Sequence, residues 1–187
     1  HTVELADGQR FTTKHILVAT GGTPFKPEIP GIELAGTSND VFLMEELPKS
    51  MLIVGGGYIA CEFAGIFNGL GVKTTQYYRG EQILRGFDGE ARTHIAQSMQ
   101  ARGVDLQLGT DVTRLEKRDS GILVTSTDSR EQLFDKVIYA TGRGPNVTGL
   151  GLEQAGVKLG KAGAVVVDAY SQTSVPSIYA VGDVTDR

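Results

Sequence analysis

The chain has 187 residues, 40% hydrophobic and 21% charged, enough ordinary globular sequence to bury a substantial core. Its net charge of −4 leaves no basic footprint for nucleic acid. The longest apolar runs, Met51–Val54 and Ile16–Ala19, are too short to span a bilayer, and no basic start followed by an apolar stretch marks a signal peptide. A single cysteine, Cys61, excludes an internal disulfide, and 25 glycines without a low-complexity tract imply local backbone work rather than a linker.

The chain starts at His1 and stops at Arg187 just after a polar turn, so both ends are expected to have been cut from something longer. Val3–Leu5, Asp7-Gly8 and Phe11–Thr13 predict a short hairpin with a type I′ turn. His15–Ala19 predicts a strand that ends in Thr20-Gly21-Gly22, after which Pro24, Pro27 and Pro30 punctuate a loop and a crossing segment runs to Leu47-Pro48.

The middle predicts a βαβ unit. Met51–Val54 is a buried strand, Gly55-Gly56-Gly57 a turn, and Tyr58–Leu70 a helix with Ile59, Phe63, Ile66, Phe67 and Leu70 at core spacing. Gly69 and Gly71 mark the helix end, and Val72–Tyr78 is the second strand. A second helix is expected over Gly89–Arg102, with Ile95 and Met99 facing in, followed by a strand from Asp105 to Leu108. The pattern then turns antiparallel, with strands over Asp111–Lys117, Ile122–Ser126 and Glu131–Ala140. Ala164–Val167 and Ile178–Val181 predict two more strands, the last running into Gly182-Asp183. The fold class is α/β, a Rossmann-like parallel sheet with an antiparallel meander.

Gly55-Gly56-Gly57-Tyr58-Ile59-Ala60 matches G-x-G-x-x-A in the strand–turn–helix context that gives this motif meaning. Gly55 permits the tight turn, Gly57 lets the backbone approach a pyrophosphate, and Ala60 and Ala64 allow close helix–strand packing. The helix N-terminus offers unpaired N–H groups and a positive dipole end to the phosphates. The plainer alternative is a glycine-rich structural turn.

The end of the second strand selects the dinucleotide. A reader of the ribose 2′-OH places a carboxylate there, whereas a reader of a 2′-phosphate supplies arginine. This strand ends Tyr77-Tyr78-Arg79, no carboxylate occurs before Glu81, and Arg85 follows in the same loop. Charge-assisted hydrogen bonds contribute about 1.5–3 kcal/mol each, so the pair could favour NADPH over NADH by roughly two to four powers of ten. The alternative is two solvated loop charges.

The stretch from Leu52 to Asp88 closely resembles flavin-dependent pyridine-nucleotide disulfide oxidoreductases, in particular the glutathione-reductase branch. His15–Gly22, Val137–Asn146 and Ser177–Arg187 resemble further landmarks of that family, in family order. The resemblance implies an NADPH-binding domain over 23–145 inserted in an FAD-binding domain of the same type, whose parts are 1–22 and 146–187. It implies that Gly56, Ile59 and Glu62 line the NADPH site opposite Gly142, that Arg79 and Arg85 hold the 2′-phosphate, and that Tyr58 is the lid over the nicotinamide pocket. Glu62 would pair with a lysine on a segment outside this chain. Asp183 would hydrogen-bond the ribityl chain of FAD, and Thr20 and Gly21 would lie beside the flavin nucleotide. By the residues alone, Tyr58 could equally be a helix-start aromatic, Glu62 a dipole partner and Asp183 a turn residue.

The family's redox dithiol, its catalytic histidine and its first dinucleotide motif are not matched here: Cys61 reads as a small buried hydrophobe, and His1, His15 and His94 fit no catalytic position. No metal site is expected. The chain is therefore expected to be an internal fragment that binds NADPH but does not itself reduce glutathione disulfide. The implied partners are a small-molecule disulfide and a second copy of the full-length enzyme, with no nucleic acid or membrane, and cytoplasm as the default compartment. The rivals are another NADPH-dependent member such as a trypanothione reductase, and a non-enzymatic NADP-binding module. Dihydrolipoamide dehydrogenase is disfavoured because a carboxylate would be wanted where Tyr78 stands.

Overall fold

The computed structural model describes residues 1–185. Asp186 and Arg187, the last residues of the expected returning flavin segment, lie outside the described residues. The chain forms two compact units, one from Pro24 to Gly142 and one joining His1–Thr23 to the chain from Arg143 onward. At the second junction Arg143–Pro145 is a strand that pairs with Gly22–Pro24.

In the first piece, β1 (Thr2–Glu4) and β2 (Arg10–Thr12) form an antiparallel hairpin with Val3 opposite Phe11. Its turn is not type I′. Only Gly8 has a positive φ, 86°, and its N–H donates to Leu5 O. Asp7 instead accepts the Gln9 N–H through its carboxylate, 3.0 Å away. β3 (Ile16–Val18) and β4 (Gly22–Pro24) follow.

The central unit opens with β5 (Gly36–Thr37) and a four-residue helix α1 (Ser38–Val41) within the crossing segment. Then come β6 (Ser50–Val54), α2 (Tyr58–Gly69), β7 (Lys73–Tyr78), α3 (Gly89–Ala101) and β8 (Asp105–Leu108). A meander of β9 (Val112–Arg118), β10 (Gly121–Ser126) and β11 (Glu131–Phe134) precedes β12 (Lys136–Tyr139). The sheet is all parallel, in the order β5-β12-β6-β7-β8, and the meander forms a separate antiparallel sheet.

Strand alternation sorts the core. Met51 and Ile53 of β6 face α2 and α3 with Ala60, Phe63, Ala64, Phe67 and Met99. Leu52 and Val54 face the meander with Val124, Phe134 and Tyr139. Two helix expectations need correction. On α2 the sheet-facing stripe is Ala60, Phe63, Ala64 and Phe67, while Ile66 and Leu70 are 51% and 57% exposed. The reason is close approach: alanines let the helix axis sit near β6, which rotates the branched residues outward. On α3 Met99 is buried but Ile95 is exposed.

Glu131–Ala140 is not one strand. The chain breaks at Asp135, whose carboxylate accepts the Ser50 N–H at 2.8 Å while its own N–H donates to the Ser50 hydroxyl. That exchange stops the meander and starts β12 in parallel register beside β6, with Lys136 opposite Met51.

In the other unit, β13 (Arg143–Pro145) pairs with β4, and β14 (Ile178–Ala180) lies parallel to β3, Ile178 opposite Ile16. Val18, Leu152, Val157, Val165, Ile178, Ala180 and Val184 make its core. The strand expected at Ala164–Val167 does not form, since Val165 makes only isolated bridges to Leu159 and Thr185.

Candidate functional site

The carboxyl ends of β6, β7 and β12 converge on the glycine turn. Gly55 adopts φ 142°, donates its N–H to Tyr77 O on β7, and lies so close to β12 that a Cβ would stand 2.3 Å from Ala140 O. Only glycine fits there. At Gly56 a Cβ would meet the Tyr78 ring at 2.4 Å. Gly57 differs from both: its φ is an ordinary −80°, and a Cβ would meet nothing within 4 Å. The protein itself imposes no need for glycine at that position, so the open space beside it is available to a ligand.

Gly57 is also the N-cap of α2, with no side chain capping the helix. The first backbone bond of the helix runs from the Cys61 N–H to Gly57 O, so the preceding N–H groups, on Tyr58, Ile59 and Ala60, have no backbone partner among the described residues. An uncapped helix start beside open space suits an anion such as a bridging pyrophosphate.

Tyr58 opens α2 and is 56% exposed; Glu62 lies one turn further on and is exposed, while Ile59 is half-buried. Arg79 follows β7 directly and Arg85 stands in the next loop; both are exposed, and neither has a carboxylate within ion-pair distance among the described residues. Glu81 pairs with neither. Gly142 enters from β12: the Ala140 N–H donates to Val54 O at 2.8 Å, and Gly142, at φ 137°, accepts the Phe25 N–H. Gly55, Gly56, Gly57 and Ile59 thus belong to one turn and the helix start that follows it, Arg79 follows the neighbouring strand, and Gly142 lies two residues past Ala140, whose carbonyl faces Gly55.

The other unit carries Thr20, Gly21 and Asp183. The Thr20 hydroxyl donates to Asn146 O at 2.7 Å, and Gly21 O accepts the Asn146 N–H. Asp183 is exposed on a 3-10 turn after β14, and no hydrogen bond or ion pair engages its carboxylate among the described residues. All three stand past the carboxyl ends of the parallel pair β3 and β14, where open α/β sheets place ligands.

The sequence reading missed Gln76. It is fully buried, its Nε2 donates to Gly55 O at 2.9 Å, and its Oε1 has no partner among the described residues. A trans peptide holds its C=O and N–H on opposite sides, so this bond turns the Gly56 N–H away from the core. The available signal was Thr74-Thr75-Gln76, a polar run in a parallel strand buried on both faces. Gln76 also approaches the sulfur of Cys61, at 3.6 Å. Burial pushes the half-buried Cys61 thiol up, the Gln76 contact opposes this and the Glu62 charge adds to it, so the sulfur is held as a neutral thiol. Among the described residues no cluster of three or more His, Cys, Asp or Glu could hold a metal ion, and no helix is long and apolar enough to cross a membrane.

Residues 1–187 match the family model of the pyridine nucleotide-disulphide oxidoreductases, and the chain belongs to that family. It is 49% identical over 180 residues to the glutathione reductase of Burkholderia cepacia, covering 96% of this chain and 40% of that protein. It is 48% identical over 183 residues to the trypanothione reductase of Leishmania donovani, covering 96% of this chain and 37% of that one. Among solved structures it is similar to the HOCl-induced flavoprotein disulfide reductase RclA from Escherichia coli, with TM-score 0.91 and 31% identity, over 99% of this chain and 43% of that chain. The chain thus spans about two fifths of the length of these relatives.

Proposed function

We propose that Pro24–Gly142 binds NADPH within a flavin-dependent disulfide reductase whose substrate is glutathione disulfide. The observation that carries this reading is the pairing of an uncapped α2 N-terminus beside the open space at Gly57 with two exposed, carboxylate-free arginines past β7. The pyrophosphate rests on the N–H groups that open α2. Arg79 and Arg85 hold the 2′-phosphate as a dianion. Tyr58 covers the nicotinamide pocket until the ring enters, and Glu62 orients the ring from one turn along. Gly142 forms the facing wall, where a side chain would narrow the cleft.

Thr20, Gly21 and Asp183 fit the flavin nucleotide: a left-handed glycine keeps the backbone open, and a carboxylate without a protein partner can accept from ribityl hydroxyls. Bound FAD supplies the two-electron relay between nicotinamide and a dithiol. The chain's own work is placement and exclusion of water. The 49% and 48% relatives support glutathione disulfide first and trypanothione disulfide second. A homodimer of the full-length protein is proposed on the same resemblance, with the cytoplasm kept as a default compartment.

Calorimetry on the full-length protein tests the cofactor. NADPH is expected to bind at least one hundredfold tighter than NADH, and the Arg79→Met/Arg85→Met double variant to lose about that factor for NADPH alone. Equal binding of both nucleotides by the wild type refutes the reading. Turnover with glutathione disulfide but not trypanothione disulfide separates the two substrates.

A further inference from the structure

Arg92 lies in the first turns of α3 and belongs to none of the groups described above, yet it makes two side-chain bonds to the loop that carries Arg85. Its Nε donates to Ile83 O at 2.7 Å and its Nη2 to Gln82 O at 2.9 Å. The next residue, Leu84, has φ 56°, a left-handed conformation that a branched side chain disfavours. It is gripped from the other side: its N–H donates to Gly56 O at 2.6 Å, inside the glycine turn. Leu84 O then accepts the Phe87 N–H, closing a tight turn with Arg85 at its first corner and left-handed Gly86 at its second.

The loop backbone is thus pinned at consecutive residues, by a guanidinium on Gln82 and Ile83 and by the glycine turn at Leu84. A strained residue persists only where its surroundings over-determine it. A lysine could not reproduce the planar fork that reaches both carbonyls at once.

We infer that Arg92 is the positioning residue of the 2′-phosphate clamp: it holds Gln82 and Ile83 so that Leu84 stays left-handed and Arg85 leaves the turn toward the adenosine end of the nucleotide. This rests on the NADPH reading. Arg92 contacts no ligand in this scheme and acts through Arg85. Without it Leu84 relaxes, the corner of the turn moves, and the arginine is lost to the phosphate while the pyrophosphate seat on α2 is untouched.

The test measures dissociation constants for NADPH and NADH on the full-length holoenzyme carrying Arg92→Met, Arg92→Lys, Arg85→Met and Arg85→Met/Arg92→Met. Arg92→Met is expected to weaken NADPH about tenfold and NADH less than about twofold, with kcat at saturating NADPH unchanged. Arg92→Lys should fall between wild type and Arg92→Met, and it serves as the folded variant if the methionine fails to fold. In the Arg85→Met background, removing Arg92 should add less than about twofold. Equal weakening of both nucleotides, no weakening of NADPH, or a full additional tenfold on top of Arg85→Met each overturns the positioning role. Equal NADPH and NADH affinity in the wild type is a separate result, and it overturns the cofactor reading together with this one.

Discussion

The two units of the chain are built by different means. Pro24–Gly142 covers both faces of a five-stranded parallel sheet, one with helices and one with the meander, and buries a cluster on each. The unit from His1–Thr23 and the chain past Arg143 shares one cluster around paired three-residue strands. Its loops are held by polar bonds: Thr20 to Asn146, Asp168 to the N–H groups of Tyr170 and Gln172, and Ser174 to Gly156. Each unit holds a left-handed non-glycine residue, Leu84 in the central one and Ser171 in the other, but only the central sheet crowds its ligand-side turn so that a Cβ at Gly55 would have no room.

The largest effect expected on this contrast comes from Gly55→Ala. The added methyl meets Ala140 O at 2.3 Å on a backbone at φ 142°, so the central sheet must shift. We expect a loss of about 3 kcal/mol or more, read by urea denaturation, whereas Gly57→Ala, which meets nothing, should keep the stability and lose nucleotide affinity. Equal stabilities for the two variants would remove the distinction between the glycines.

Asp183→Ala sharpens the contrast from the other side. Flavin retention in the full-length protein should fall about tenfold with NADPH affinity and melting midpoint unchanged. A parallel loss of NADPH affinity would show that the two sites are not separable.

The smallest effect concerns Tyr139, whose hydroxyl is buried in the meander core without a partner among the described residues. Tyr139→Phe should stabilise the protein by about 1 kcal/mol, because it removes an unsatisfied polar atom. Burial, with a lesser push from the Asp111 charge, holds this phenol well above its ordinary range, and burial also raises Tyr77. A group whose folded pKa is raised gives stability that is complete below its unfolded value and lost above it. The melting midpoint should therefore begin to fall as pH rises past about 10, and fall less in Tyr139→Phe. A variant with the same alkaline slope as the wild type would contradict this.

Much of this molecule is legible in its sequence. The strand, glycine turn and helix from Met51 to Gly69 form within a residue or two of where periodicity placed them, because a buried run followed by glycines constrains the backbone locally. The same holds for Arg79, since the residue after a strand is set by the strand's own end. What failed was whatever depended on a neighbour far along the chain. Ile66 and Leu70 match helical spacing yet face outward, because β6 selects the alanine face. Glu131–Ala140 looks like one strand until Ser50 supplies the partner that breaks it at Asp135.

The sequence by itself determined the strand, glycine turn and helix of the βαβ unit and the absence of a carboxylate at the end of β7, all properties of adjacent residues. Only the tertiary structure decided which glycine is crowded and which faces open space, that a buried amide aims the Gly56 N–H, and that Arg92 grips the loop of Arg85. Those depend on groups brought within 3 Å by sheet order and helix docking, which no local periodicity encodes.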